Sequence, residues 1–162
     1  MNKVIFNHSE ILNEFIKTNK YIIGIDMGES YMGIAKSNLS KNIANPYIMY
    51  KRRTPEKDIE WIRDLCLKNE SYLLVIGIPL DHNFATNEVE ELSKWAKKIL
   101  SFAKMVASKI TNIKVFLQDE SCTTMIAKDF SLLLERKQKI RYHIDMIAAS
   151  AILQRFLDKY KL

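Results

Sequence analysis

A chain of 162 residues, 48% hydrophobic and 27% charged, has the length and composition of one ordinary globular domain with a full core. Its two cysteines, Cys66 and Cys122, form no CxxC pair, which excludes a zinc ribbon or redox dithiol, and no run approaches the ~18 consecutive apolar residues of a membrane span. Lys and Arg number 25 against 19 Asp and Glu, a formal charge of +6 that favours a polyanionic partner through counterion release. With no signal peptide evident at the N-terminus, a cytoplasmic protein is expected.

Residues 1–20 read as an N-terminal extension, in which Ser9 caps a short helix carrying Ile11, Leu12, Phe15 and Ile16 on one side. The body of the domain, 21–162, begins with β signals. Tyr21 to Asp26 is a buried strand, Gly28-Glu29-Ser30 a turn, and Tyr31 to Ser37 a second strand. Ile43 to Tyr50 is a third. Connections this short imply an antiparallel meander. Thr54 then offers an N-cap and Pro55 a first helical position for a helix with Ile59, Ile62, Leu65 and Cys66 on its apolar stripe. Tyr72 to Ile78 is a near-continuous apolar run, the mark of a strand covered on both faces. Thr86 can cap a long helix whose stripe includes Val89, Leu92, Trp95 and Ile99. Ile113 to Leu117 predicts a strand, Thr123 or Thr124 to Leu134 a helix, Glu135 to Lys139 a charged connection, and Tyr142 to Tyr160 a closing helix. The expected fold is α/β: a mixed sheet, three strands as an antiparallel meander plus parallel strands, flanked by helices and preceded by a helical extension.

Four acidic residues stand in unusual company. Asp26 ends the apolar run Tyr21-Ile22-Ile23-Gly24-Ile25, where an uncompensated charge costs several kcal/mol. Asp119 and Glu120 follow the last strand, and Asp145 sits inside an apolar helix beside Ile144 and Met146. Carboxylates converging at one sheet edge would hold Mg2+ or Mn2+ for phosphodiester hydrolysis, with Asp26, Asp119 and Asp145 as ligands and Glu120 as ligand or base. Each has a plainer alternative: Asp26 capping the turn at Gly28, Asp119 in a strand-end turn, Asp145 capping the last helix, Glu120 in solvent.

Several segments carry a family resemblance. They are Ile23-Gly24-Ile25-Asp26-Met27-Gly28, Gly33-Ile34-Ala35-Lys36-Ser37, Asn45-Pro46, Val75-Ile76-Gly77-Ile78-Pro79-Leu80, Asp119-Glu120 with Thr123 and Thr124, and Ile144-Asp145-Met146-Ile147-Ala148-Ala149 through Ile152-Leu153-Gln154. In this order the chain resembles the YqgF/RuvX family of pre-16S rRNA nucleases, in the RNase H-like superfamily, from Tyr21 to Asp158. The resemblance implies an RNase H-like fold, acidic site residues at Asp26, Asp119 or Glu120, and Asp145, and a divalent-metal nuclease acting on the 5′ end of the small-subunit rRNA precursor. Ser121 departs from the arginine that the family usually has after Asp-Glu, the loop after Leu80 lacks its glycine-threonine element, and Met27 and Glu29 replace commoner residues around Gly28.

Two basic segments are candidates for holding RNA: Lys51-Arg52-Arg53, and Arg136, Lys137, Lys139 and Arg141 before Asp145. A solvated face is the alternative for the first. The expected activity is metal-dependent endonuclease processing of precursor 16S rRNA. A resolvase cutting branched DNA and a catalytically weak RNA-binding assembly factor are the alternatives. Monomer and homodimer both remain open, and no membrane partner is expected.

Overall fold

The computed structural model describes residues 4–5, 17–80, 92–120 and 141–160. Among these, one sheet runs in the order β1-β6-β5-β2-β3-β4. Its strands are β1 (Val4–Ile5), β2 (Ile22–Met27), β3 (Tyr31–Ser37), β4 (Ala44–Lys51), β5 (Leu73–Ile78) and β6 (Lys114–Asp119). β2, β3 and β4 form the expected antiparallel meander, and β5 and β6 add in parallel on the other side of β2. The strand that carries Asp26 is thus interior, flanked by β3 and β5.

Among the described residues, three helices lie against this sheet: α1 (Pro55–Lys68), α2 (Lys94–Lys109) and α3 (Arg141–Lys159). Period-two alternation along the strands sorts their side chains into two cores. Ile23, Ile25, Leu74, Ile76, Val115 and Leu117 pack with α1 and α2. Ile22, Val75 and Phe116 pack with Ala149, Ile152, Leu153 and Phe156 of α3. Every residue of β5 is buried, as a strand covered on both faces requires. The Cys66 thiol lies in the first core, where burial pushes it up to about 12, so it is an inert packing residue.

Local chemistry explains most boundaries. Thr54 caps α1 by accepting from the Lys57 amide at 3.3 Å, with Pro55 opening the helix. The proline in β4, Pro46, falls on the edge strand beside a register shift in the β3–β4 ladder, the kind of place where a sheet tolerates a missing N–H. The closing helix is fixed to that strand by Gln154, whose Oε1 accepts from the Ala44 amide at 2.9 Å while its Nε2 donates to the Asn42 carbonyl at 3.0 Å.

Three elements differ from the sequence expectation. The helix expected from Thr86 does not run continuously: α2 starts at Lys94, and the Ser93 hydroxyl caps it by accepting from the Ala96 amide at 3.1 Å. Ser93 has ψ 158°, an extended value that no helix passes through. Residues 1–20 supply a strand: Val4 and Ile5 pair in parallel with Val115 and Phe116 of β6. β6 extends through Asp119, two residues beyond the expected Leu117. The helix expected after Ser9, residues 81–91 and the segment 121–140 lie outside the described residues.

Candidate active site

Three of the four carboxylates, Asp26, Glu120 and Asp145, lie in one neighbourhood near the C-terminal ends of β2 and β6, on the α3 side. Asp26 is the penultimate residue of β2 and faces Gly33 across the β2–β3 ladder. It sits inside the strand; the turn after it is closed by the Gly28 amide donating to the Tyr31 carbonyl at 2.9 Å. On Gly33, a Cβ would lie 2.0 Å from the carbonyl oxygen of Asp145, so the α3 main chain rests on β3 at the rung that holds Asp26. Asp145 stands in the second turn of α3, past the position of an N-cap.

Alternation decides between the two acids of β6. Val115 and Leu117 enter the α1/α2 core and Phe116 the α3 core, so Asp119 continues the first series and Glu120 the second. The Glu120 amide donates to the Ile78 carbonyl at 3.0 Å, which extends the ladder by that one residue. A Cβ on Gly77 would lie 2.6 Å from Glu120 Oε2 and 2.5 Å from the Ile152 side chain, so Glu120 folds over a bare strand position beneath α3. Asp26, Glu120 and Asp145 therefore share a face, and Asp119 points to the other. A count of alternation from Val115 and Leu117 carried this signal in the sequence, provided that the strand was known to continue.

Electrostatics couples the same three groups. Burial pushes the Asp26 carboxyl up to about 7, with the negative charges of Glu120 and Asp145 adding to the shift. Glu120 is raised by burial and by Asp119, and Asp145 by burial. Three acids held where ionisation is unfavourable form a donor set that a cation would stabilise, and oxygen-only donors suit a hard divalent ion. Among the described residues, no group of three or more Asp, Glu, His and Cys side chains is gathered tightly enough to hold a metal ion as it stands.

Of the basic candidates, Arg52 is committed inside the fold. Its Nε lies 3.1 Å from Asp58 Oδ2, and its NH1 donates to the Gly28 carbonyl at 2.9 Å. Asp58, fully buried, also accepts from the Arg53 amide at 2.8 Å. Arg52 thus braces the turn next to Asp26 against the start of α1, while Lys51 and the Arg53 side chain are exposed. Arg136, Lys137 and Lys139 lie outside the described residues; Arg141 is the first residue of α3.

A family model described as "RuvX: Holliday junction resolvase" matches residues 20–159. The chain belongs to the RuvX family. Its relatives include a Wolbachia pipientis protein named "Putative pre-16S rRNA nuclease", 36% identical over 154 residues, which span 91% of this chain and 93% of that one. An Ehrlichia chaffeensis protein of the same name is 34% identical, with 93% and 95% covered. Among solved structures, Thermus thermophilus RuvC in complex with a Holliday junction substrate superposes with TM-score 0.52 at 11% identity, covering 86% of this chain and 94% of that one. A Fowlpox virus resolvase–Holliday junction complex gives 0.50 at 11% identity, covering 88% and 99%. These two likenesses bear on the fold, which is RNase H-like as expected. With its family and named relatives, this RuvX chain is a nuclease.

Proposed function

We propose that the chain is a divalent-metal-dependent endonuclease that trims the 5′ end of precursor 16S rRNA in the cytoplasm, with Asp26, Glu120 and Asp145 as the ion-holding carboxylates. The observation that carries this reading is geometric: Asp26, half-buried near the end of an interior strand, shares the α3 face of the sheet with Glu120 and Asp145, two acids from distant parts of the chain, and burial together with their charges pushes its carboxyl upward. Bringing like-charged acids together in a partly desolvated place costs folding energy, which a bound cation would offset. The curated relatives' name supplies the substrate.

When bound, Mg2+ or Mn2+ would activate the attacking water and offset charge on the leaving oxygen. Asp26 Oδ atoms would hold the ion from the rigid strand, and Asp145 from α3. Glu120, raised by burial and by Asp119, would stand beside the ion as a further ligand and as the base that takes the proton the attacking water gives up. Asp119 would act through its charge on Glu120. The basic chain would hold the polyanion outside the site, with Arg136, Lys137, Lys139, Arg141, Lys51 and Arg53 as the contacts.

The test is cleavage of a precursor 16S 5′ leader by wild type and Asp26→Asn, with Mg2+ or Mn2+ supplied and then removed by chelator. Metal-dependent cleavage by wild type alone is expected; equal cleavage by both removes Asp26 from the mechanism. The family model's description favours a second reading, a resolvase of branched DNA. A four-way DNA junction offered in the same assay decides between them by rate.

A further inference from the structure

Behind the carboxylates, on the α1/α2 face of the sheet, an open cleft of about 380 Å3 lies beside the β2–β3 turn. Its apolar walls include Met27, Trp95, Phe102 and Met105, and the exposed Lys98 and Glu29 also line it. Met27 is the chain neighbour of Asp26 and points to the opposite face. The cleft and the carboxylates are therefore two sides of one strand end, separated by the turn Gly28-Glu29-Ser30. A nucleic-acid strand with a phosphate at Asp26 would pass over that turn and bring a neighbouring base to the cleft.

The lining matches a nucleobase better than an apolar ligand. Trp95 is half-buried, packs against the core and lines the cleft, and Lys98 Nζ lies 5.8 Å from its ring centre. The Arg52 guanidinium stands 5.5 Å from the Phe102 ring, held there by Asp58 and by the Gly28 carbonyl. One partly exposed aromatic ring, Trp95, with the exposed cation Lys98 beside it is the kind of surface that an unpaired base and its phosphate select. Glu29 adds a carboxylate able to accept from an exocyclic amino group of a base. Because Arg52 is fixed from two sides, this wall of the cleft is preformed, which lowers the ordering cost of binding.

We propose that this cleft receives an unpaired nucleobase of the RNA strand that crosses the carboxylate site. The proposal rests on the nuclease reading above for the position of the strand, and on the cleft itself for the base. It makes the chain selective for a single-stranded segment next to the cut, a property the carboxylates alone do not confer.

The experiment follows Trp95 fluorescence in protein carrying Trp61→Phe, so that one indole reports, and Asp26→Asn, so that RNA survives. A single-stranded oligoribonucleotide is expected to quench the emission, and the same sequence in a blunt duplex to leave it unchanged. Trp95→Leu should weaken single-strand binding about tenfold with duplex binding unaltered, and Trp95→Phe, which keeps a stacking face, should restore it. Equal quenching by both RNAs, no quenching, or equal affinity of the Leu and Phe variants overturns the proposal. Wild-type cleavage of the precursor with a silent Trp95 defeats the cleft alone. Selective quenching without any cleavage by wild type defeats the nuclease reading and leaves the cleft standing.

Discussion

The main-chain oxygen of Asp145 occupies the space in which a side chain on Gly33 would begin, 2.0 Å from the Cβ position. Gly33 is also the cross-strand partner of Asp26. One contact between a bare strand position and a helix backbone therefore sets how far apart the two acids stand. Gly33→Ala leaves no low-energy way out, because the obstacle is backbone and cannot rotate. The variant should lose ~1–3 kcal/mol or more in urea unfolding, and its cleavage rate should fall even under conditions where it is fully folded.

Glu120 and Asp119 give a direct comparison. Glu120 lies over Gly77 on the α3 side, and alternation sends Asp119 to the other side. Glu120→Gln should reduce the cleavage rate by at least about a hundredfold. Asp119→Asn should have a much smaller effect and should lower the apparent pKa of the Glu120-dependent limb of the rate profile, since the Asp119 charge raises Glu120. Equal losses in the two variants, read from single-turnover rates, would contradict the assignment.

Arg52 and Asp58 form a buried pair with 15% and 0% side-chain exposure. Removing one partner of such a pair leaves an uncompensated charge, so Asp58→Ala should cost ~3–5 kcal/mol in chemical unfolding. Arg52 should contribute little to the salt dependence of RNA binding, whereas Lys51→Ala with Arg53→Ala should flatten the slope of log affinity against log salt.

The second basic segment has its own test. Arg136→Ala with Lys137→Ala should weaken RNA affinity at low salt and reduce the salt slope by about two, one for each phosphate that is no longer neutralised. An unchanged slope in filter binding rejects any role of the segment in gripping RNA.

Asp26 makes metal-free stability depend on pH in a stated direction. Its carboxyl ordinarily titrates at 3.8 and does so at about 7 in the fold, so the native state binds the proton more tightly than the unfolded chain. The contribution is fully present below 3.8 and is lost as pH rises through 7. In chelator, the unfolding midpoint should therefore fall between about pH 4 and pH 7, and Asp26→Asn should remove this part of the decline. Added Mg2+ should reverse it near neutrality, because a cation favours the ionised form.

Much of this architecture was legible in the sequence. Alternation marked the meander, Thr54-Pro55 marked the start of α1, and an aspartate closing an apolar run marked the first of the acids that the fold brings to the α3 face. The choice between Asp119 and Glu120 was not legible, because it turns on where β6 ends. That limit is set by a bond from the Glu120 amide to Ile78 on another strand, and a shift of one residue exchanges the faces. Ser93 was overlooked because the apolar period continues upstream through Leu92 and Val89, masking the cap. The two-residue β1 has no periodicity to detect; its partner on β6 alone makes it a strand. Arg52 read as one of three equivalent cations, and only the fold separates it by pairing it with Asp58.

The order of the elements along the chain has a bearing on synthesis. Asp26 comes early, Glu120 late, and Asp145 arrives on the helix that follows every strand of the sheet. An unfinished polypeptide emerging during translation would have the first acid and lack the last, together with the α3 residues that complete the second core. The proposed ion site is thus completed only when α3 has been made and packed on the sheet.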